Sequence, residues 1–476
     1  MSSKPLVEKS EYLPSTPRKE NGVWITDGAW VSGLVGVVML FVMAFLCHKF
    51  VWLDRGVSFL GLVDFKTALH VKLFCLIVIA LSMCAAELVR ITLTGHKKLI
   101  NLAPEIKQGN FLSLIMVCAW RYICYLIIFV LATFFYKAVP EYGFHTKAEY
   151  YIPWLHMCQW LFNAFLWFGF PYVLLTYALK YNQEKDLNSY HHLVQSLVVR
   201  VLAKFKIISG QQHLVVSKKQ TKKIFLGLLV RVFFAPLMTV FFIDQYSQLI
   251  SNMGYMIDWL PKNIADGKYN HGTFNSDLWN ISRSIIFSID VSLAWCGYVI
   301  TSRWLDNETQ STDPTLQGWF VCLLSYPPLT IAGYYFVFPS EGQLINIQNE
   351  YFVTFFTLLL VTSFLIYTLS TIVFGVRFSN LTHRGIIRKG PFAYIRHPAY
   401  TSKNIGWWLG IFPVLIYFYI SGTYSFGFVL ISTIALIAQS YWYYLRAITE
   451  ERHLSVDPAY LEYCEKVKYR FIPGIV

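Results

Sequence analysis

RKGPFAYIRHPAYTSKN, residues 388–404, interrupts a stretch of chain that is otherwise close to pure hydrocarbon. Segments 352–376 and 403–421, on either side, have about the 20 apolar residues an α-helix needs to cross a bilayer. Two prolines, two lysines, two arginines and a histidine between them are costly at lipid depth, so the stretch belongs at a membrane surface. Working outward, comparable apolar runs occupy 29–47, 68–90, 112–136, 152–179, 223–243, 279–301, 318–338 and 424–445. The pattern predicts an all-α polytopic membrane protein of about ten transmembrane helices.

Composition agrees. The chain has 476 residues, 55% hydrophobic and 18% aromatic, with 14% charged and a mean hydropathy of +0.46. Soluble domains carry about a quarter charged residues. The net charge of +13 is spread between apolar runs and not gathered on a soluble module, which argues against nucleic-acid binding. Nine cysteines lie scattered, almost all in apolar runs, with no CxxC pair and no zinc-type spacing, so no metal site or disulfide framework is expected.

Lysine and arginine set the orientation. With the amino terminus inside, the cytoplasmic loops hold His96-Lys97-Lys98, the basic run 181–223, residues 302–317 and residues 377–402. The loop 302–317 does not share the bias, since Arg303 stands against Asp306, Glu308 and Asp313. Both termini are thus expected in the cytoplasm, in a bacterial inner membrane or its equivalent. Residues 1–27 read as a polar, disordered tail without a cleavable signal peptide.

The division expected is a four-span region over 28–222 with a basic interfacial loop at 181–222, a middle region 223–351, and a carboxyl-terminal domain 352–476. Within the basic loop, Leu193, Leu197, Val198, Val201, Leu202 and Phe205 recur at helical spacing, as in a helix lying in the membrane interface. The His191-His192 pair reads as surface. A second amphipathic stretch, 246–260, is expected outside. Ionisable residues within spans are Glu87 and Arg90, a helix-end pair, Arg231, and Asp290 deep in IIFSIDVSLAW. Asp290 either bonds a facing helix or lines a polar cavity. Pro327-Pro328 predicts a break in the seventh span.

The chemistry-bearing residues come in two groups. Gly390-Pro391 makes a turn, and Pro398 starts the next helix directly after Arg396-His397. Tyr400, Lys403, Asn404 and Trp407 follow on that helix. The last span exits with Arg446, Glu450 and His453 at i, i+4 and i+7, and Glu451 beside them. The short 421–424 hairpin makes these two helices antiparallel neighbours, so both groups meet at one cytoplasmic mouth. No GxGxxG follows a strand, which excludes a Rossmann site.

The pattern GPFAYIRHPAY, then a helical hairpin, then EERHL and a tail ending RFIPGI, resembles the isoprenylcysteine carboxyl methyltransferase family over residues 355–475. The resemblance implies S-adenosylmethionine as cofactor and a hydrophobic or lipidated acceptor drawn from membrane lipid. It implies cofactor contacts from Gly390, Pro391, Tyr394, His397, Pro398, Tyr400, Glu450, Glu451, Tyr460, Tyr463 and Arg470. Arg396 and Arg446 are the candidates to orient a substrate anion, and Glu451 the candidate base for a thiol or amine. Asp290, Lys403, Asn404 and Trp407 are candidates for the substrate cavity. The first 350 residues lie outside the resemblance. Ten-span sterol reductases, which bind NADPH, share a similar tail, but they carry RHxNY and an Asp–Glu pair where this chain has RHPAY and Glu450-Glu451. Asp290 fits a proton donor in such an enzyme. A transporter or lipid-binding scaffold is the non-enzymatic alternative.

Overall fold

The computed structural model describes residues 19–20, 23–59, 61, 63–94, 101–139, 150–207, 216–327, 329 and 342–474. The fold is all-α, with only two- and three-residue strands between helices. The longer helices are α1 (Trp30–Lys49), α2 (Ala68–Leu93), α3 (Phe111–Ala138), α4 (Ile152–Leu179), α5 (His191–Lys204) and α6 (Lys218–Gly254). They continue with α7 (His271–Val299), α8 (Leu316–Leu323), α9 (Glu350–Ile372), α10 (Pro398–Ile420), α11 (Phe426–Leu454) and α12 (Pro458–Lys466).

Among the described residues, seven helices are long and apolar enough to cross a membrane: α1, α2, α3, α4, α6, α9 and α11. The runs expected at 279–301 and 403–421 are also long helices, α7 and α10, but both are more polar. Asp277, Arg283 and Asp290 lie on α7, and Thr401, Ser402, Lys403 and Asn404 crowd the first turns of α10. Of the run expected at 318–338, α8 covers the beginning; Pro328 and residues 330–341 lie outside the described residues, as do His96-Lys97-Lys98.

Side-chain hydroxyls and amides start the helices. Thr67, Asn110, Ser217, Asn270, Asn349 and Ser425 each accept a backbone N–H from the first turn of α2, α3, α6, α7, α9 and α11. The main core lies between α1, α2, α6 and α7, where Trp295 donates to Thr239 at 2.8 Å and Tyr298 stacks on Phe234 at 4.7 Å. At Gly297 and Gly33 a neighbouring carbonyl, of Phe378 and Ile372, fills the place a Cβ would take, so α7 and α1 pack directly on backbone. By contrast, Phe134, Trp167, Phe168 and Leu175 on α3 and α4 stand exposed, as a lipid-facing surface would.

Three of the four loops grouped as cytoplasmic, 181–223, 302–317 and 377–402, lie together at one end of the bundle. Ser311–Thr312 pairs with Thr382–His383 as a short antiparallel ladder, Arg303 reaches Asp186 at 3.3 Å, and Ser311 meets His453 at 2.9 Å. Contacts such as His48–Asp258 and Gln348–Tyr417 join the loops grouped as external.

Several expectations change. The end of the expected tail is ordered: Trp24 is buried beside Tyr460 and Tyr463, Thr26 donates to the Ile386 carbonyl at 2.7 Å, and Asp27 pairs with Arg388 at 2.9 Å. An indole and a carboxylate with partners waiting on the carboxyl-terminal domain hold it there. The amphipathic stretch 246–260 continues α6, which runs to Gly254 and passes into a π-turn, with Tyr246, Leu249 and Ile250 on its buried face. Glu87 and Arg90 are no snorkelling pair. Glu87 is fully buried, held by Arg90 at 2.6 Å and by Arg377 from the loop after α9.

The histidine pair is not at the surface either. His191 and His192 are both buried, under α5 against α3. Leu197, Val198, Val201 and Phe205 of α5 remain exposed, which suits the interfacial helix expected from their spacing.

Candidate functional site

The turn Gly390–Ala393 and the first residue of α10 aim the His397 ring at α11. Gly390 adopts φ +61°, and a Cβ there would press on Val373 Cγ1 at 2.8 Å, so glycine suits the approach to α9. Pro398 occupies the first turn of α10, where a missing N–H costs nothing. The backbone N–H groups of Arg396 and His397 donate to the carbonyls of Tyr469 and Arg470, both at 2.9 Å. The carboxyl-terminal tail is thereby laid alongside the RHP segment.

The two groups of residues meet. His397, buried, has its Nε2 3.1 Å from Glu451 Oε1, and its ring lies parallel to that of Tyr400 at 5.5 Å. The Tyr400 hydroxyl donates to Glu450 Oε2 at 2.7 Å. Glu451 is nearly saturated: Arg396 approaches Oε1 at 3.0 Å and Arg470 donates to Oε2 at 2.9 Å. Such an acid orients His397 and fastens the tail; with both oxygens held by cations it is poorly placed as a base. Glu450 keeps a half-exposed side chain.

Arg446 sits deeper. It donates to Ser325 Oγ at 3.1 Å and to Asn380 Oδ1 at 3.4 Å, and its guanidinium lies over the rings of Tyr400 and Tyr443 at 5.0 and 5.3 Å. Its hydrogen-bond partners are neutral, which leaves its charge for an anion. Trp407 meets Tyr443 edge-on at 5.0 Å, and Asn404 donates to the Tyr400 carbonyl while its buried Oδ1 has no partner. Arg396 likewise has an unpartnered, buried Nε.

Other candidates are placed differently. Tyr394 is 75% exposed and points away from the cluster. Tyr463 donates to the Phe392 carbonyl at 2.7 Å, so it ties α12 to the turn, and Tyr460 packs with Trp24. Asp290 accepts from Thr371 at 2.9 Å, and Lys403 Nζ lies 4.3 Å over the Tyr367 ring. Asp290 thus bonds the facing helix α9.

Sequence reasoning missed a cavity of about 940 Å³ on the other flank of α11. It is lined by residues of the loops 181–223, 302–317 and 377–402, by residues 24–26, by Arg121 of α3 and Tyr172 of α4, and by Arg231 of α6 and His453 of α11, and none of Arg396, His397, Tyr400, Glu450 or Glu451 reaches it. The basic loops were legible as membrane-surface charge, but nothing in their spacing foretells that they enclose a volume. Asp186, His191 and His192 cluster beside it with ligand atoms within 4.8 Å of one another. Arg121 takes both oxygens of Asp186, at 2.5 and 2.7 Å, and His192 spends its two nitrogens on Gln195 and the Asp186 carbonyl, so the group is knit as structure. Burial and Arg121 push the His191 imidazole down to about 2, which keeps it neutral.

The fold and the site define an all-α chain with membrane-crossing helices and a polar cluster where its last helical hairpin opens. No protein-family model, curated protein or solved structure matches the chain.

Proposed function

We propose that the chain is an integral-membrane, multi-pass methyltransferase that uses S-adenosylmethionine and acts on a hydrophobic or lipidated acceptor at the cytoplasmic membrane face. The observation that carries this reading is the convergence of His397 and Tyr400 on Glu451 and Glu450, two groups separated by a transmembrane hairpin. The residues suit that cofactor. The half-exposed Glu450 is an acceptor for an ammonium or ribose hydroxyl, the unpartnered Arg396 Nε suits a carboxylate, and Asn404 Oδ1 suits an amine. Tyr400, Trp407 and Tyr443 offer aromatic faces.

The bound cofactor supplies an electrophilic methyl group, which passes to the acceptor's nucleophilic atom as a neutral thioether leaves. The protein's part is alignment, which contributes roughly 7–11 kcal/mol at best. Glu451 fixes His397 and the tail, Tyr400 holds Glu450, and Arg446 orients an acceptor anion from within the bundle. The acceptor reaches the cluster sideways from lipid, with Lys403, Asn404 and Trp407 on its path along α10.

A second reading, an NADPH-dependent reductase, is favoured by one observation: Asp290, deep in α7, is held by the Thr371 hydroxyl, as a positioned proton donor would be. Parallel titrations of the purified chain in lipid with S-adenosylmethionine and with NADPH separate the two. Binding of the first, lost in His397→Ala, is expected; binding or oxidation of NADPH alone overturns the methyltransferase reading.

A further inference from the structure

The large cavity has a charge imbalance of its own. Six of its lining side chains are arginine or lysine, and three, Asp306, Glu308 and Asp457, are acids. Two of the arginines are already matched: Arg121 to Asp186, and Arg303 to Asp186 and Glu308. Arg231 and Arg384 are not. Arg231 donates to Thr301 Oγ1 at 2.6 Å and lies over the Tyr190 ring at 5.2 Å, while its buried Nε has no partner. Arg384 is 97% buried by its 3% exposure, donates one nitrogen to the Gly297 carbonyl at the end of α7, and leaves both Nε and Nη2 unpartnered.

A buried guanidinium without a counter-ion, as at Arg384, is an expensive arrangement, and the half-buried Arg231 facing the same cavity adds a like charge. The bond to Gly297 accounts for one donor of Arg384, as a cap on the last carbonyls of α7. It leaves the other donors and the charge unexplained. Burial and the like charge of Arg231 pull the Arg384 guanidinium down to about 9, so an anion between them would relieve both effects. The unpartnered, buried Thr309 hydroxyl, which can donate, stands on the same wall.

We propose that this cavity binds a phosphate oxyanion, with Arg384 and Arg231 as the two arms that grip it. Forked, planar guanidinium donors match tetrahedral oxyanions, which favours phosphate over a halide. Enclosure by the loops that meet at one end of the bundle permits either a free phosphate compound or the headgroup of an anionic lipid to enter. The site is separate from the His397–Glu451 cluster and does not depend on the methyltransferase reading.

The test uses the full chain in two arms. In neutral phosphatidylcholine nanodiscs, pyrophosphate is titrated by calorimetry; in parallel, nanodiscs containing phosphatidylglycerol are assayed by native mass spectrometry for retained lipid. Binding in the first arm identifies a soluble phosphate, and retention in the second only identifies a headgroup. Arg384→Gln and Arg231→Gln are each expected to weaken whichever binding occurs roughly ten- to a hundredfold. Exposed Lys389→Gln, outside the cavity, should leave it unchanged. Monodisperse elution and an unchanged thermal unfolding transition report that the variants remain folded, and should Arg384→Gln fail to fold, Arg231→Gln carries the test. No binding by wild type in either arm, or equal binding by wild type and the folded arginine variants, overturns the proposal.

Discussion

Glu451 and Arg384 lie on opposite flanks of the same exit from the bundle, and their surroundings are inverted. Around Glu451 one acid is shared by Arg396, Arg470 and His397. Around Arg384 two arginines face a cavity with no carboxylate bonded to either. The first arrangement is complete in the chain alone, so it fastens and orients; the second is incomplete, so it calls for something from outside. Charge count by itself does not separate the two, since both regions read as basic loops. What separates them is whether each cation has found its acid.

The most forceful way to break this comparison is at a complete cluster with no ligand role. Glu87 is held by Arg90 and Arg377 and is fully buried. Removing one partner of such a group leaves buried charge uncompensated at a cost of about 3–5 kcal/mol. Glu87→Gln is expected to lower stability by that order in thermal unfolding in micelles; an unchanged midpoint would refute the account of complete clusters.

Next in size is Glu451→Gln. It removes one charge-assisted acceptor from three donors, each worth about 1.5–3 kcal/mol, although solvent weakens the share of the partly exposed Arg470. Calorimetry should show S-adenosylmethionine affinity falling by roughly tenfold or more, and proteolysis should show the tail after Val467 cut faster. A tail equally protected in the variant would show that Glu451 does not fasten it.

Arg384→Gln sharpens the contrast from the other side. Because no acid is left unpaired by its removal, its unfolding midpoint should stay within a few degrees of wild type or rise while anion binding is lost. A large destabilisation would put Arg384 among the structural arginines.

The smallest effect concerns α5. Neutral His191 has its folded pKa well below the ordinary value of about 6.5, so only the unfolded segment takes up a proton as pH falls. Stability contributed by its docking is therefore present above about 6.5 and is lost toward lower pH, by at most about 1.4 kcal/mol per pH unit. Protection factors over residues 186–204, taken against the intrinsic exchange rate at each pH, should fall between pH 7.5 and 5, and less so in His191→Phe. Equal pH dependence in both proteins would remove His191 from the explanation.

How much of this was legible in the sequence follows from the range of each signal. Long apolar runs placed α1 to α4, α9 and α11 well, because lipid-crossing length is a local property. The meeting of His397 with Glu451 was legible too, since the short connection between Ile420 and Phe426 leaves two helices little choice but to pair. Glu87 with Arg377 was not, for the partners lie 290 residues apart and neither hydropathy nor helical spacing encodes that distance. His191-His192 looked like surface because no partner for the pair stands near it in sequence, whereas its burial comes from packing on α3 and from Asp186. Arg384 read as one more inside-positive residue; that it lacks an acid could only be seen once all its neighbours were in place.

The central claim is that His397, Glu450 and Glu451 form a cofactor site for methyl transfer. Calorimetric titration of S-adenosylmethionine into the full chain in lipid nanodiscs, with NADPH in a parallel cell, tests it most directly. The account predicts saturable binding of S-adenosylmethionine that His397→Ala abolishes, and none of NADPH. Binding of NADPH without S-adenosylmethionine, or S-adenosylmethionine binding indifferent to His397 and Glu450, would contradict it.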